Sequence, residues 1–188
     1  MMKIGITGSI SSGKTTASRI ISFKRGPVFS ADKIVKNLYK SESFKKLLSK
    51  KFRIKNNKQI KKTLKNIILF NTNNFKKLEK IIHPLVRKKM RAFSHQNRHR
   101  KYLFYEIPLL IESKLTKYFD VIIFIKANKQ LRLKRFKANG GNERMFNLLN
   151  DRQIKDSKKA KSSNFVVVNE KNLLILKKKL STIIAKYE

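Results

Sequence analysis

Five short apolar segments rich in β-branched and aromatic residues divide the chain and predict the strands of a buried sheet. They are Lys3–Thr7, Pro27–Ser30, Tyr102–Glu106, Val121–Ile125 and Phe165–Val168. Helical stretches separate these segments, and strands that alternate with helices are typical of a parallel sheet covered by helices on both faces. The pattern therefore predicts an α/β fold.

A long helical region interrupts this alternation between Asp32 and about Gln96. Apolar residues recur there at helical spacing in three sets, which are Phe44, Leu47, Leu48 and Phe52, then Ile60, Leu64, Ile67 and Ile68, then Leu78, Ile81, Ile82, Leu85 and Val86. The spacing predicts a helical insertion. Further along, Leu131–Arg152 is a basic helical stretch with a hinge-like turn at Asn139-Gly140-Gly141, and the amphipathic stretch Asn172–Tyr187 favours a helix packed on the core.

The composition excludes several classes of protein. The 188 residues suit one α/β domain with inserted segments. There is no apolar run long enough to cross a membrane, and the absence of cysteine excludes disulfides, thiolate zinc sites and a cysteine nucleophile. Since the first residues lead directly into a strand, we expect no cleavable signal peptide, a cytoplasmic location and no membrane partner.

The formal charge of +36 raises the question of nucleic-acid binding. The basic residues are spread along the whole chain, however, and lysine accompanies abundant Asn, Ile and Phe, as an A+T-rich coding sequence favours. We interpret most of the excess as compositional, with attraction of anionic substrates as a consequence. The sequence has no aromatic ribonucleoprotein motif, zinc spacing or clear helix-turn-helix, and it predicts no specific nucleic-acid partner.

A glycine-rich motif of the form G-x-x-x-x-G-K-T lies between the first strand and a helical stretch. Its residues are Gly8, Ser9, Ile10, Ser11, Ser12, Gly13, Lys14 and Thr15, and Thr16 follows directly. In this context backbone N–H groups at a helix N-terminus face a polyphosphate, Lys14 contacts the β- and γ-phosphates, and the Thr15 hydroxyl binds Mg²⁺. The motif predicts binding of a nucleoside triphosphate. The alternative is a strand-to-helix turn that binds no ligand.

A carboxylate follows the second predicted strand. Asp32 comes at the carboxyl end of that strand, the edge at which open α/β sheets bind ligands. There it is placed to accept a proton from a substrate hydroxyl during phosphoryl transfer. The alternative is that Asp32 is the N-cap of a helix over Lys33–Lys40.

Three further residues are candidates with open alternatives. Glu106 ends a predicted strand and is placed either to direct the magnesium shell or bind substrate, or to form a salt bridge. Glu112 is a weaker candidate of the same kind, and its alternative is an ordinary charge on a helix surface. His83 precedes Pro84 in a helical stretch, where proline suits the first turn and a lone histidine is commonly a structural hydrogen-bonding residue.

Taken together and in order, these motifs resemble the dephospho-coenzyme A kinase family. The resemblance is carried by the phosphate loop, Gly26–Asp32, Ile82-His83-Pro84, Glu106–Glu112 and Arg152-Gln153. It extends from Lys3 to about Asn169. The phosphate loop alone is common to many families, whereas its combination with the other segments is much more specific.

The resemblance implies an activity and an architecture. The activity is ATP-dependent phosphorylation of the ribose 3′-hydroxyl of dephospho-coenzyme A, the last step of coenzyme A synthesis. The architecture is a P-loop NTPase-type parallel sheet with helices on both faces, a helical substrate-binding insertion and a lid. We assign the nucleotide-binding core to residues 1–32, 100–132 and 158–188, the acceptor-binding insertion to residues 33–99 and the lid to residues 133–157.

The resemblance also implies roles for individual residues. Asp32 matches the general base, and Lys14 and Thr15 serve ATP and Mg²⁺. Arg135 matches a lid arginine near the phosphates, and Asn169 falls near the adenine end of the ATP site. The residues assigned to the acceptor pocket, together with the Asp32 carboxylate, are His83, Glu106, Pro108, Leu109 and Glu112.

The chain departs from the family pattern at several positions. Ser9 and Ser11 stand where the family usually has glycine, and Ser30 replaces a frequent first acid of a D-A-D motif. Glu106 replaces a common aspartate, and Asn139 replaces a frequent second lid arginine, for which Lys137 is a substitute two residues earlier. Because Lys14, Thr15 and Asp32 are all retained, we expect an active enzyme.

Two other functions remain as alternatives. One is another small-molecule or nucleotide kinase with the same architecture, and the other is a basic nucleic-acid-binding NTPase. The expected small-molecule partners are ATP and dephospho-coenzyme A, and we expect a monomer.

Overall fold

A parallel sheet forms the centre of the fold. The computed structural model describes residues 1–55, 59–71 and 73–188. Within them, the sheet has five strands, which are β1 (Met2–Gly8), β2 (Val28–Ser30), β3 (Tyr102–Glu106), β4 (Val121–Lys126) and β5 (Phe165–Val168). Their order is β2-β3-β1-β4-β5, and the predicted strands and α/β fold are confirmed.

The register of β1 determines which residues meet at the carboxyl edge of the sheet. Ile6 in β1 pairs with Glu106 in β3 on one side and with Ile123 in β4 on the other. All of these pairings are parallel, so the carboxyl ends of the strands lie at one edge. The phosphate loop after β1 and the Glu106 side chain at the end of β3 therefore lie at the same edge.

Apolar side chains of the strands and two helices form the main core. The helices are α1 (Lys14–Ser22) and α9 (Leu173–Ile184). The residues of this cluster are Ile4, Ile6, Ala17, Ile21, Tyr102, Phe104, Val121, Ile123, Ile125, Val167, Leu176, Leu180, Ile183 and Ile184. On the opposite face Tyr105 contacts Phe119 edge-on, with ring centroids 5.2 Å apart. Apolar side chains thus pack on both faces of the sheet. This agrees with strands that are rich in β-branched residues and buried on both sides.

The chain divides into two units, one of residues 1–30 and 94–188 and the other of residues 31–93. The second unit is helical, as the apolar spacing predicted. It contains α2 (Ala31–Leu38), α3 (Glu42–Phe52), α4 (Ile60–Phe70) and most of α5 (Asn73–Gln96). Among the described residues, its buried apolar residues are Ala31, Phe44, Leu48, Ile60, Leu64, Ile68, Leu78 and Met90.

Two details of the helical unit differ from the sequence interpretation. The α2 helix begins at Ala31, immediately after β2, so Asp32 lies in its first turn and is not an N-cap. Pro84 lies inside α5 rather than in a first turn. A proline at this position removes one backbone N–H donor from the helix. Because α5 is 24 residues long, its many other backbone hydrogen bonds keep it helical.

The remaining helices follow β4. They are α6 (Lys129–Ala138), α7 (Glu143–Asp151) and the short α8 (Asp156–Lys161), which precedes β5. The predicted turn at Asn139-Gly140-Gly141 separates α6 from α7, and Gly140 has a φ of 80°, which glycine adopts without strain. No helix of the described residues is both long and apolar enough to cross a membrane.

Candidate active site

The phosphate loop joins β1 to α1 and contains two residues in the left-handed region. Gly13 has a φ of 95° and Ser11 a φ of 56°. At Gly13 any larger residue is excluded, because a Cβ atom would lie 2.2 Å from Nδ2 of Asn169. The α1 helix begins directly after Gly13, so its first N–H groups and the positive end of its dipole adjoin the loop. This is the arrangement that the motif predicted.

Lys14 lies on the loop and is almost completely buried. Its exposed fraction is 8%, and its Nζ donates a hydrogen bond to the Ser9 carbonyl at 3.0 Å. A buried ammonium requires oxygen partners, and the loop supplies one. The side chain thus folds back over the loop.

The fold brings Thr15, in the first turn of α1, next to Glu106, the last residue of β3. The Thr15 hydroxyl donates to Oε1 of Glu106 at 2.5 Å, and Glu106 is 3% exposed. From sequence, Glu106 was expected either to direct the magnesium shell or bind substrate, or to form a salt bridge. The structure shows its carboxylate hydrogen-bonded to the Thr15 hydroxyl of the motif. The two side chains place three oxygen atoms next to the start of α1.

Asn169, directly after β5, is hydrogen-bonded to the backbone of the phosphate loop. Its Nδ2 donates to the Ser12 carbonyl at 2.9 Å, and its own carbonyl accepts a hydrogen bond from Nη2 of Arg135 at 3.2 Å. The other guanidinium nitrogen, Nη1 of Arg135, is buried and has no hydrogen-bond partner among the described residues. Asn169 thus contacts the loop directly, whereas Arg135 is joined to it through the Asn169 carbonyl.

Three residues between α6 and α8 contact the first half of the loop. Oδ1 of Asp156 accepts from the Ser9 hydroxyl at 2.5 Å, and Oε1 of Gln153 accepts from the Ile10 N–H at 2.9 Å. Arg132 is 5% exposed and its Nη1 lies 3.5 Å from the Ile10 carbonyl. Burial lowers the pKa of Arg132, and the charge of Asp156 opposes this shift.

Glu112 is not the ordinary surface charge of the second interpretation. Its Oε1 lies 2.9 Å from Nζ of Lys159, which is completely buried, and also accepts a hydrogen bond from the Ile154 N–H at 3.3 Å. Pro108, at the start of the same segment, accepts a hydrogen bond from the Thr7 hydroxyl at 3.1 Å. Leu109 is partly buried beside it. The segment is therefore anchored to β1 at one end and to α8 at the other.

Asp32 and His83 belong to the helical unit. Ser30, the last residue of β2, pairs with Glu106 in the sheet, and Asp32 is the second residue of α2, which begins directly after it. His83 lies in α5, where burial lowers its pKa, Glu79 raises it and Arg87 lowers it. The net shift favours the neutral imidazole.

Sequence reasoning did not select Arg132 or Asp156. In a chain with 47 Lys and Arg residues, no local signal separates a buried arginine from the exposed majority. Asp156 had a weak signal, because only 11 residues of the chain are acidic. Its contact with Ser9 spans 147 residues and arises from the fold alone.

Comparisons with known proteins agree on one family. The family model described as Dephospho-CoA kinase matches residues 2–174. A dephospho-CoA kinase of Bartonella quintana (strain Toulouse) is 35% identical over 178 residues, which cover 92% of this chain and 91% of that protein. A dephospho-CoA kinase of Rickettsia bellii (strain RML369-C) is 30% identical over 189 residues, which cover 100% and 98%.

Solved structures show the same likeness. The crystal structure of TT1252 from Thermus thermophilus superposes with a TM-score of 0.81 at 25% identity, covering 100% of this chain and 98% of that one. A dephospho-CoA kinase from Campylobacter jejuni superposes with a TM-score of 0.68 at 27% identity, covering 98% and 96%. The matches extend over nearly the whole chain, so they include the phosphate loop and both units.

Proposed function

The chain belongs to the dephospho-CoA kinase family, and from this premise we propose which residues carry the phosphorylation of dephospho-CoA by ATP. The reaction transfers the γ-phosphoryl group of ATP to the ribose 3′-hydroxyl, giving CoA and ADP. The observation that supports the assignment is the G-K-T loop, with Lys14 buried against it and the Thr15 hydroxyl bonded to Glu106.

The direct test uses the purified protein with ATP, Mg²⁺ and dephospho-CoA. We expect CoA to form in step with ADP. Acceptor competition with other nucleosides and small alcohols tests the alternative kinases, and ADP formation that does not depend on dephospho-CoA would contradict the proposal. Retention on a polynucleotide at near-physiological salt tests the nucleic-acid alternative, because simple charge attraction falls steeply with salt.

For ATP we propose that the loop binds the polyphosphate. The N–H groups at the start of α1 and the Lys14 ammonium neutralise the β- and γ-phosphates, and Asn169 keeps the loop in place through the Ser12 carbonyl. Phosphoryl transfer passes through a loose, anionic transition state, so positioning and charge neutralisation are the main tasks of the protein.

For Mg²⁺ we propose Thr15 and Glu106 as the protein's contribution. Mg²⁺ prefers oxygen ligands and is usually held by one or two protein groups together with substrate phosphates and water. The side chains fit this preference, and the described residues contain no cluster of three or more acidic or histidine side chains that would hold a metal alone. When bound, the ion neutralises charge on the β- and γ-phosphates.

Glu106→Gln tests this assignment. The amide keeps the shape and one oxygen but loses the negative charge, so we expect the Mg²⁺ concentration for half-maximal rate to rise by about 10- to 100-fold. The measurement is the rate as a function of Mg²⁺ at saturating ATP. Glu170→Gln is the control, because Glu170 is exposed and its carboxylate accepts only from the Asn128 N–H among the bonds seen. An unchanged Mg²⁺ requirement in Glu106→Gln would contradict the assignment.

For the acceptor we propose Asp32 as general base, and we propose that His83, Pro108, Leu109 and Glu112 take part in acceptor binding. Asp32 takes the proton of the ribose hydroxyl as the phosphorus–oxygen bond forms. Glu112 contributes by fixing the segment through its pair with Lys159. Burial lowers the pKa of His83, which favours the neutral ring, and a neutral imidazole has one nitrogen that accepts a hydrogen bond.

For the lid we propose residues 133–157, with the turn at Asn139-Gly140-Gly141 as one hinge. Closure excludes water, which otherwise competes with the acceptor hydroxyl. Lys137, the substitute for the missing second lid arginine, pairs with Glu143 at 2.6 Å, and the Asn139 amide bonds the Arg135 carbonyl. Arg135 is therefore the lid cation that we assign to the transferring phosphoryl group.

Arg135→Ala is expected to lower kcat by about 10²-fold, while ATP affinity falls less. The reason is that Arg135 meets phosphate charge that develops only after the lid closes. Steady-state kinetics and equilibrium ATP binding on the same preparation measure the two effects, with Lys134→Ala as the control for loss of a neighbouring exposed cation. A variant that loses ATP affinity but keeps kcat would show that the assigned role is wrong.

We also propose that the enzyme acts as a monomer in the cytoplasm. Light scattering on the active protein tests the oligomeric state.

A further inference from the structure

A pair of hydrogen bonds joins the phosphate loop to the last residues of the proposed lid, between α7 and the start of α8. Asp156 accepts from the Ser9 side chain at 2.5 Å, and Gln153 accepts from the Ile10 backbone at 2.9 Å. The two acceptors lie three residues apart, so one short stretch of chain holds two consecutive loop residues. We call this pair of contacts the loop clip.

Arg132 contacts the loop and the lid from the side of α6. Its Nη1 lies 3.5 Å from the Ile10 carbonyl and 3.0 Å from Oδ1 of Asn150, and its guanidinium lies 5.7 Å from the centre of the Phe146 ring. The charge of Asp156 favours the protonated Arg132. The clip and Arg132 thus engage the N–H and the carbonyl of the same residue, Ile10.

The loop needs such support because of its backbone conformation. Ser11 has a φ of 56°, which lies in the left-handed region that residues with a Cβ atom disfavour. A strained conformation persists only where the surroundings hold it. The clip fixes the two residues before Ser11, and the Asn169 amide fixes Ser12 after it.

We infer that Asp156 is a positioning residue for ATP, which acts through Ser9 by holding the phosphate loop in its binding conformation. The inference rests on the proposed function only in taking ATP as the ligand of the loop. Asp156 need not touch the nucleotide, because the hydrogen bond to Ser9 transmits its effect to the loop backbone.

Because Asp156 is negatively charged, the direction in which its removal changes ATP affinity tests the inference. If this carboxylate affected ATP by electrostatics through space, its removal would strengthen binding of a polyanion. If it acts by positioning, its removal must weaken binding. The two explanations therefore predict opposite changes for the same variant.

Four variants separate these effects by equilibrium ATP titration in the absence of acceptor. Asp156→Ala removes charge and acceptor, Asp156→Asn removes charge but keeps Oδ1, and Ser9→Ala removes the donor but leaves the charge. The fourth is the double variant of Ser9→Ala and Asp156→Ala. The control is Asp151→Asn, an exposed acid of α7 that loses the same charge.

We expect Asp156→Ala and Ser9→Ala each to raise the Kd for ATP by about tenfold, the loss of one charge-assisted hydrogen bond. The double variant is expected to have the same Kd as each single variant. Asp156→Asn is expected to keep most of the ATP affinity, and the Kd of the control is expected to change little. Tighter ATP binding by Asp156→Ala would overturn the inference. Additive losses in the double variant, or a lowered Tm with unchanged Kd, would overturn it as well.

The proposed function and this inference fail in different ways. A wild-type protein that binds ATP but does not phosphorylate dephospho-CoA contradicts the proposed function, and the comparison of Kd values still decides the role of Asp156. In an active enzyme, the variants should raise KM for ATP while kcat changes by less than KM does.

Discussion

Replacing Lys14 by alanine is expected to lower turnover by on the order of 10³-fold and so nearly to abolish activity. The physical reason is that Lys14 is the cation of the phosphate-loop motif, and we propose that it neutralises β- and γ-phosphate charge in the transition state. The measurement is kcat with dephospho-CoA as acceptor, at saturating ATP.

The control must separate chemistry from folding, because Lys14 is buried and bonds the Ser9 carbonyl. Arg19→Ala serves this purpose, since Arg19 lies on the exposed side of the same helix and carries the same charge. Circular dichroism and Tm of both variants test whether the fold is intact. A folded Lys14→Ala protein with unchanged steady-state kinetics would contradict the proposed role of Lys14 in binding the phosphates of ATP.

Replacing Asp32 by asparagine is expected to lower turnover by roughly 10²–10⁴-fold, the usual range for loss of a general base. The substitution preserves shape but removes the proton acceptor, and Ser30 offers no second carboxylate two residues earlier. ATP affinity should change little, because the proposed partner of Asp32 is the acceptor hydroxyl and not the polyphosphate. Both quantities are measured on one folded preparation.

The alternative role of Asp32 is stabilisation of α2 from its first turn. An acid at this position interacts favourably with the helix dipole by about 0.3–1 kcal/mol. Glu42 lies in the first turn of α3 and also pairs with Lys45 at 2.6 Å, so the control Glu42→Gln should lose at least as much stability and no activity. If Asp32→Asn loses only stability, as the control does, Asp32 is not the base.

Much of the fold could be predicted because its signals are local. Each of the five strands is a short β-branched or aromatic run, and the structure confirms all of them within a residue or two at each end. The phosphate loop could also be recognised, since strand, glycine-rich turn and helix follow one another directly in the chain. Periodicity located the insertion helices for the same reason.

Local signals were misleading where neighbouring elements decided the outcome. The N-cap interpretation of Asp32 was wrong because β2 leads into α2 without an intervening residue. Pro84 was wrongly expected in a first turn, because α5 begins eleven residues earlier, at Asn73, and continues through the proline. Both errors concern where a helix starts, which depends on how the preceding element ends.

The chain by itself determined the α/β class and the phosphate-loop motif, because each follows from residues close together in sequence. It determined the family because several such local motifs follow one another in a specific order along the chain. Only the tertiary structure decided the strand order, the bond between Thr15 and Glu106, the burial of Arg132 and Lys159, and the clip from Asp156 to Ser9. These contacts join residues 91 to 147 positions apart, or bury charges that look like any others in a chain of 47 basic residues. A charged side chain acquires a particular partner only when packing of the sheet and helices removes water from it, and no local pattern records that event.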